Sequence, residues 1–558
     1  MYQIMCYTRS ADEALYYGPR LAYSVHLALR EGEGAFIPLN HNSGVLFARA
    51  TENEDGSLNP KSLRNPVITR TEDGGFLISA TRIEGDGDEE KEPVQLYWTS
   101  RDLVIYDEVS EEKAKELYDR IRQTEQKVAE RNYINQDIEN ITGCIPGNII
   151  SISEQEADYL KKKLLPPENT GVKLPERVKV QCREDIEKIK AVTTYSDGTS
   201  LERRVDWDTS GIDFTRKGSV KVKGRVHQEH FAFPIAYNRA DPCVARWEGK
   251  YYFIATNDAD NNHTLYIRQA DTLAGLVDAE EILLLDSVTY EGIGNLLWAP
   301  EFHEINGRLY IFHAATPGEF FCEESHIMTL KEGGNPANRD DWSAPRKILK
   351  KDGSELCEAG KTISLDMTCF EWEGEYYVIW SQRQFLPKDL GAWLYIAKLN
   401  PEEPWKLATD PVILSKPDYG WDNNHTFVDE GPFALMDEGR LFITFSGAAV
   451  DESYVVSYLV IEKGKDLLDR NNWRKNNYPI LTARSVEGEY GTGHNAYVID
   501  EDGLVWNTYH ARPGADGVRS SGIRRVHFDV DGCPMLDVVE EKDLKEEFAS
   551  VEIEVEIV

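Results

Sequence analysis

Basic residues are scarce in this chain of 558 residues: 62 Lys and Arg stand against 97 Asp and Glu, a formal net charge of −35. Nothing in that balance would neutralise phosphates, so neither a nucleic acid nor an anionic membrane surface is an expected partner, while a neutral ligand such as a sugar is compatible with it. Paired cysteines are missing too. Cys6, Cys144, Cys182, Cys243, Cys322, Cys357, Cys369 and Cys533 include no C-x-x-C, which fits free thiols in a reducing compartment better than a disulfide framework or a zinc site. The opening MYQIMCYTRSADEALYYG has no basic stretch followed by an apolar one, so no secretory leader is visible and a cytoplasmic location is the expectation. No apolar run approaches the ~18–20 residues of a membrane-spanning helix. The composition, 41% hydrophobic and 10% aromatic, is that of a globular protein, and the length calls for two or three domains. No mark of an oligomeric state is visible.

What the second half does contain is a repeat. Five units recur: ADPCVARWEGKYYFIA from Ala240, WAPEFHEINGRLYIFH from Trp298, LDMTCFEWEGEYYVIW from Leu365, DEGPFALMDEGRLFITF from Asp429 and TGHNAYVIDEDGLVWNTY from Thr492. Each has a polar opening, an alternating stretch, an X-Gly turn and a nearly continuous apolar strand. A spacing of roughly 60–65 residues suits one four-stranded blade, and five such units predict a five-bladed β-propeller. The X-Gly pairs (Glu248-Gly249, Asn306-Gly307, Glu373-Gly374, Glu438-Gly439, Asp502-Gly503) read as two-residue hairpin turns. The repeat puts Asp241, Asp366 and Glu430 at equivalent places in three blades, facing the axis. For any single acid a turn or cap role is the ordinary reading; three in one register around one axis point to catalysis.

The whole chain is read as all-β. Residues 1–165 form a β-rich module with connecting helices, 166–230 a small β-sandwich, and 231–558 the propeller. Within the first module, RNPVITRTEDGGFLISATR resembles the opening of the Asp241 unit with Asn65 in place of the acid, so it is either a degenerate blade or an unrelated β-domain. Helices are expected over Glu111–Ile134, with a sparse apolar face through Ala114, Leu117 and Ile121, and over Ser151–Leu164, capped by Ser151 with Glu154 three residues on. In the middle segment LP, YSDG, VDW and GSVKVKGRV resemble bacterial Ig-like repeats, with a spacing or buttressing role implied.

The motifs ADP (Ala240–Pro242), WAPE (Trp298–Glu301), LDMTCF (Leu365–Phe370), DEGP (Asp429–Pro432) and GTGHN (Gly491–Asn495), in this order, resemble glycoside hydrolase family 43 across the whole propeller. The resemblance implies Asp241 as general base, Glu430 as general acid, and Asp366 as the residue that orients the acid and raises its pKa. It implies no required cofactor. His494 is either a core histidine or a residue near the axis, beside which a structural calcium could bind. Arg512, in YHARP, resembles the family's sugar-binding arginine, the alternative being a surface ion pair. Trp298 is a wall of the pocket or a blade-packing residue, and Phe385, Trp393 and Trp421 are candidate pocket aromatics.

An inverting glycosidase needs an acid on one side of the bond and a base on the other, about 6.5–9.5 Å apart. Carboxylates on different blades can stand so; neighbours on one strand cannot. The expectation is an inverting exo-α-L-arabinofuranosidase acting on short arabinan- or arabinoxylan-type oligosaccharides. β-Xylosidase or β-galactofuranosidase activity on the same scaffold is the alternative, and a non-catalytic sugar-binding propeller the rival of a different class. A retaining fructosidase would carry an NDPNG-like motif where this chain has ADPCV.

Overall fold

The computed structural model describes residues 1–12, 16–123 and 140–558. Among the described residues five sheets, each of antiparallel strands in sequence order, form the propeller. Blade one is Arg239–Trp247, Lys250–Asn257, Thr264–Ala270 and Ile282–Asp286; blade two runs from Asn295–Ile305 to Arg346–Lys347. Blade three spans Thr362–Trp372 to Val412–Ser415, and blade four Asp429–Met436 to Arg474–Lys475. Blade five has three strands, Glu489–Ile499, Val505–Pro513 and Ser520–Arg525. Its outer edge is closed by the chain just before blade one. Ile235 N–H donates to the Ser521 carbonyl (2.9 Å) and Ser521 N–H to the Ala236 carbonyl (2.9 Å). The ring is thus shut by backbone pairing, and the innermost strands of blades five and one lie side by side.

The second strands are apolar because neighbouring blades bury them on both faces. Phe312, Trp380 and Val378 pack between blades two and three, and Ile254, Ile311 and Leu309 between one and two. Two-residue loops with both residues left-handed join the first strands at Glu248-Gly249, Asn306-Gly307 and Glu373-Gly374, the turns whose twist matches the strands. Blades four and five differ from expectation. Met436 pairs with Leu441 and Ile499 with Val505, so their loops are longer than two residues.

The N-terminal region holds two four-stranded sheets. One pairs Tyr2–Arg9 with Cys144–Ile152 and His26–Glu31; the other is a meander of Lys61–Arg70, Phe76–Glu84, Val94–Ser100 and Asp107–Val109. The strand at Tyr2–Arg9 was not legible beforehand. A helix runs over Glu111–Gln123; the rest of the helix expected to Ile134 lies outside the described residues. The second helix, Glu154–Leu164, is capped by Ser153 in a capping box with Glu156, not by Ser151. Both S-x-x-E spacings occur in SISEQE, and pairing of Ser151 with Gln3 holds that residue in a strand.

Residues of the middle segment form a three-stranded sheet (Asn169–Lys173, Ala191–Tyr195, Ser200–Arg203) and a four-stranded one. The latter includes Ser550–Ile557, paired with Gly218–Val226 and Val178–Val180. The last strand of the chain therefore completes the middle sheet and is not part of the propeller, contrary to a propeller running to residue 558. Its alternation of Glu with Val and Ile buries Ile553, Val555 and Ile557 on one face.

Candidate active site

In every blade the inner strand outruns its partner strand by one residue at a shared position, and the residue there has a left-handed backbone; blades two and five hold a second such jump earlier in the strand. The paired positions jump from Ala240 to Cys243, Trp298 to Glu301, Leu365 to Thr368, Glu430 to Phe433 and Gly493 to Ala496. The residues that absorb the jump are Asp241 (φ 50°), Ala299 (φ 43°), Asp366 (φ 55°), Gly431 (φ 56°) and His494 (φ 52°). Such bulges re-aim a side chain and are tolerated best by Asp, Asn, His and Gly. Asp241, Asp366 and His494 are therefore equivalent, and Glu430 is not: it stands one residue earlier, in the register of Trp298 and Leu365. The expected equivalence of three acids fails because blade four spends its bulge on Gly431. A side chain there would meet the His494 ring at 3.1 Å.

Asp241, Asp366, Glu430, Trp298 and His494 line one cavity of about 390 Å3, together with Phe320 and Arg519. The carboxylate of Asp241 lies 3.0 Å from His510 Nδ1, 3.3 Å from His494 Nδ1 and 3.3 Å from Arg519 Nη1. Burial opposes its ionisation, but the charge of Arg519, then His494 and His510, holds it well below the usual carboxylate range. Arg519 is itself fixed by Asp258, through Nε (2.9 Å) and Nη2 (2.8 Å).

Glu430 is set the other way. Burial raises its pKa against the hydrogen bond donated by Tyr454 Oη (2.7 Å) and the nearby charge of His494. Asp366, whose Oδ2 accepts the Gly431 N–H (3.0 Å), is also pushed up to about 8, by burial and, against His494, by the charges of Glu430 and Asp241. Burial thus disfavours ionisation of both Asp366 and Glu430. Behind them Glu323 is fully buried with neither carboxyl oxygen bonded to protein, and burial and Asp366 raise it well above its ordinary range. One acid whose pKa is held down and another whose pKa is pushed up, at one cavity, are the two partners that general acid–base chemistry requires.

Several expected residues lie elsewhere. Arg512 does not line the cavity: its Nη1 and Nη2 donate to the carbonyls of Gly517 (3.1 Å) and Val450 (3.0 Å), bracing two loops, and Arg519 occupies the place foreseen for it. Phe385 stands behind Phe320, ring centroids 5.7 Å apart. Trp421 is fully buried between Tyr419 and Phe445, and Trp393 donates to the Leu390 carbonyl (3.1 Å) away from the cavity. His494 faces Asp241. Calcium takes about six to eight oxygen ligands, and among the described residues no group of three or more metal-type side chains is assembled. The calcium expectation therefore finds no donor set. Arg519, His510, Tyr454 and Phe320 were missed: Arg519, Tyr454 and Phe320 lie in the connections leading into third strands, and His510 sits inside the second strand of blade five, where nothing in the local pattern sets them apart.

Residues 231–534 match Glycosyl hydrolases family 43. An extracellular exo-α-(1→5)-L-arabinofuranosidase of Streptomyces chartreusis is 33% identical over 284 residues, half of this chain and 81% of that protein. One of the same name from Streptomyces avermitilis is 29% identical over 55% of this chain, which spans only 63% of that relative. Among solved structures, an α-L-arabinofuranosidase from Lactobacillus brevis is 28% identical, covers 56% of this chain and 98% of its own, and superposes with a TM-score of 0.49.

Proposed function

The chain belongs to glycosyl hydrolase family 43, and from that premise we propose that it is an inverting exo-α-L-arabinofuranosidase releasing terminal arabinose from short oligosaccharides. The reading is carried by the opposed ionisation of Asp241 and Glu430 at one cavity. Asp241, charged because Arg519 and the two histidines stabilise it, takes a proton from water. The hydroxide so formed attacks the anomeric carbon as the glycosidic bond breaks. Glu430, protonated because it is buried, gives its proton to the departing oxygen. Asp366 keeps the acid's proton in place by disfavouring a second negative charge beside it. Trp298 and Phe320 offer flat apolar faces to a sugar ring. The relatives' names support arabinose as the sugar.

The test is turnover of a panel of aryl glycosides (α-L-arabinofuranoside, β-D-xyloside, β-D-galactofuranoside), with Glu430→Gln as control and the first-formed sugar anomer read by NMR. Turnover of the arabinofuranoside with inverted product supports the reading. A retained anomer would exclude single displacement, and preference for another panel member would reassign the sugar.

A further inference from the structure

The strand that carries Glu430 begins in a buried ionic cluster that the reaction does not use. Asp418, Asp422 and Asp429 surround Lys475, whose Nζ lies 3.2 Å from Asp418 and 3.3 Å from Asp429 and also contacts Asp422. The four side chains are nearly or fully shut from solvent. Lys475 sits under the rings of Trp421 (5.2 Å) and Phe445 (5.3 Å), and Ser415 Oγ donates to Asp429 (2.6 Å). Asp429 is the residue before Glu430. Its backbone carbonyl accepts from Ser381 Oγ (2.9 Å), and the Asp422 carbonyl accepts the N–H of Ala448, beside its pairing partner Gly447.

Three aspartates against one lysine are not balanced, and the second cation comes from the N-terminal module. Arg49 Nη1 reaches Asp418 at 2.7 Å, and its guanidinium covers the Tyr419 ring at 4.9 Å. The Ala50 N–H donates to the Asp418 carbonyl (2.6 Å), Arg20 to the Asn423 carbonyl, and Lys416 pairs with Glu52 (2.8 Å). From the other side Asn477 joins the Tyr106 N–H to the Tyr419 hydroxyl, each at 3.3 Å. The module thus grips residues 416–423 from three of its own segments. Buried charge short of counter-ions is destabilising, and without Arg49 the three aspartates would have Lys475 alone as counter-ion.

We propose that the N-terminal module is a positioning element of the catalytic site: Arg49 and Lys475 together fix the chain from Asp418 to Asp429 and so hold the Glu430 carboxyl at the leaving oxygen. The proposal rests on the reading of Glu430 as the general acid. Lys475 and Arg49 are positioning residues, since neither touches the cavity.

The experiment uses the full chain, the aryl glycoside it turns over best, and two versions of that substrate, nitrophenyl and unsubstituted phenyl. The phenyl group leaves poorly and depends on protonation. Glu430→Gln calibrates how strongly loss of the acid separates the two. Arg49→Met is expected to lower kcat on the phenyl substrate by about tenfold, the size of effect a displaced group can produce. It should affect the nitrophenyl substrate far less and leave KM nearly unchanged, with Arg49→Lys recovering most of the loss. Lys475→Met should show the same signature more strongly. Should it fail to fold, the half-exposed Arg49 still carries the test. Equal losses on both substrates, or no loss, in a folded Arg49→Met protein would overturn the proposal while leaving Glu430 as the acid. A Glu430→Gln variant with no leaving-group dependence would overturn both.

Discussion

The meander at residues 61–109 and blade one are built on the same plan and do opposite things with it. Both are four antiparallel strands in sequence order, and both carry an extra residue in the first strand, between Arg64 and Val67 or between Ala240 and Cys243. Both place a left-handed residue there, Asn65 (φ 53°) and Asp241 (φ 50°). Asn65 is exposed, whereas Asp241 is 6% exposed and surrounded by Arg519, His494 and His510. A bulge therefore supplies only an aim. What turns an aimed side chain into a base is the ring of other blades that removes water and supplies counter-charge. The meander, with no ring to complete, retains the geometry without the chemistry.

Making the active bulge resemble the inert one should have the largest effect. Asp241→Asn is expected to lower kcat by about 10²–10⁴-fold, the range for loss of a general base, and Glu430→Gln similarly on poor leaving groups; an intact far-ultraviolet spectrum would assign the loss to chemistry. Asp366→Asn removes a like charge beside the acid. Activity requires the protonated acid and is lost as pH rises through the pKa of Glu430, which burial raises above the usual carboxylate range. The alkaline limb of the kcat profile should accordingly move to lower pH. Arg519→Met acts on the opposite limb. The base works ionised, and activity falls as pH drops through a pKa that Arg519 depresses; without that charge the acid limb should shift to higher pH. Arg512→Met, which only frees two loop carbonyls, should leave both limbs where they were.

How much of this was legible depended on repetition. The five units are repeated, so the propeller and the three acids could be read directly, while Trp298 stayed between a pocket wall and a blade-packing role. The register within each unit could not, because a bulge shifts alignment by one residue and only backbone pairing reveals it; hence Glu430 looked equivalent to Asp241 when Gly431 is. Arg512 was singled out, and Arg519 missed, for a related reason. Arg512 stands next to a recognisable strand, while Arg519 follows the loop after Pro513 and is brought to Asp241 only when blade five closes against blade one. The final strand, paired 337 residues upstream where Ser219 lies opposite Glu556, shows the same limit: long-range partners leave only an alternating pattern behind.

The smallest effect belongs to the inert bulge itself. A left-handed backbone costs an ordinary L-residue roughly 1–2 kcal/mol, less for Asn and nothing for Gly. Asn65→Ala should therefore destabilise the module by about 1 kcal/mol, and Asn65→Gly should be close to neutral, as read from chemical denaturation followed by the fluorescence of Trp98, which lies in the same sheet. Neither change reaches the cavity, so kcat at saturating substrate should be untouched while the module remains docked through Arg49 and Asp418. Asn65→Asp sharpens the contrast further. It gives the meander the acid of blade one on the same backbone, yet the carboxylate would face water, with no Arg519 to lower its pKa and no second acid opposite. Any gain of hydrolysis by Asn65→Asp in an Asp241→Asn background would show that the bulge alone suffices; the expected result is none.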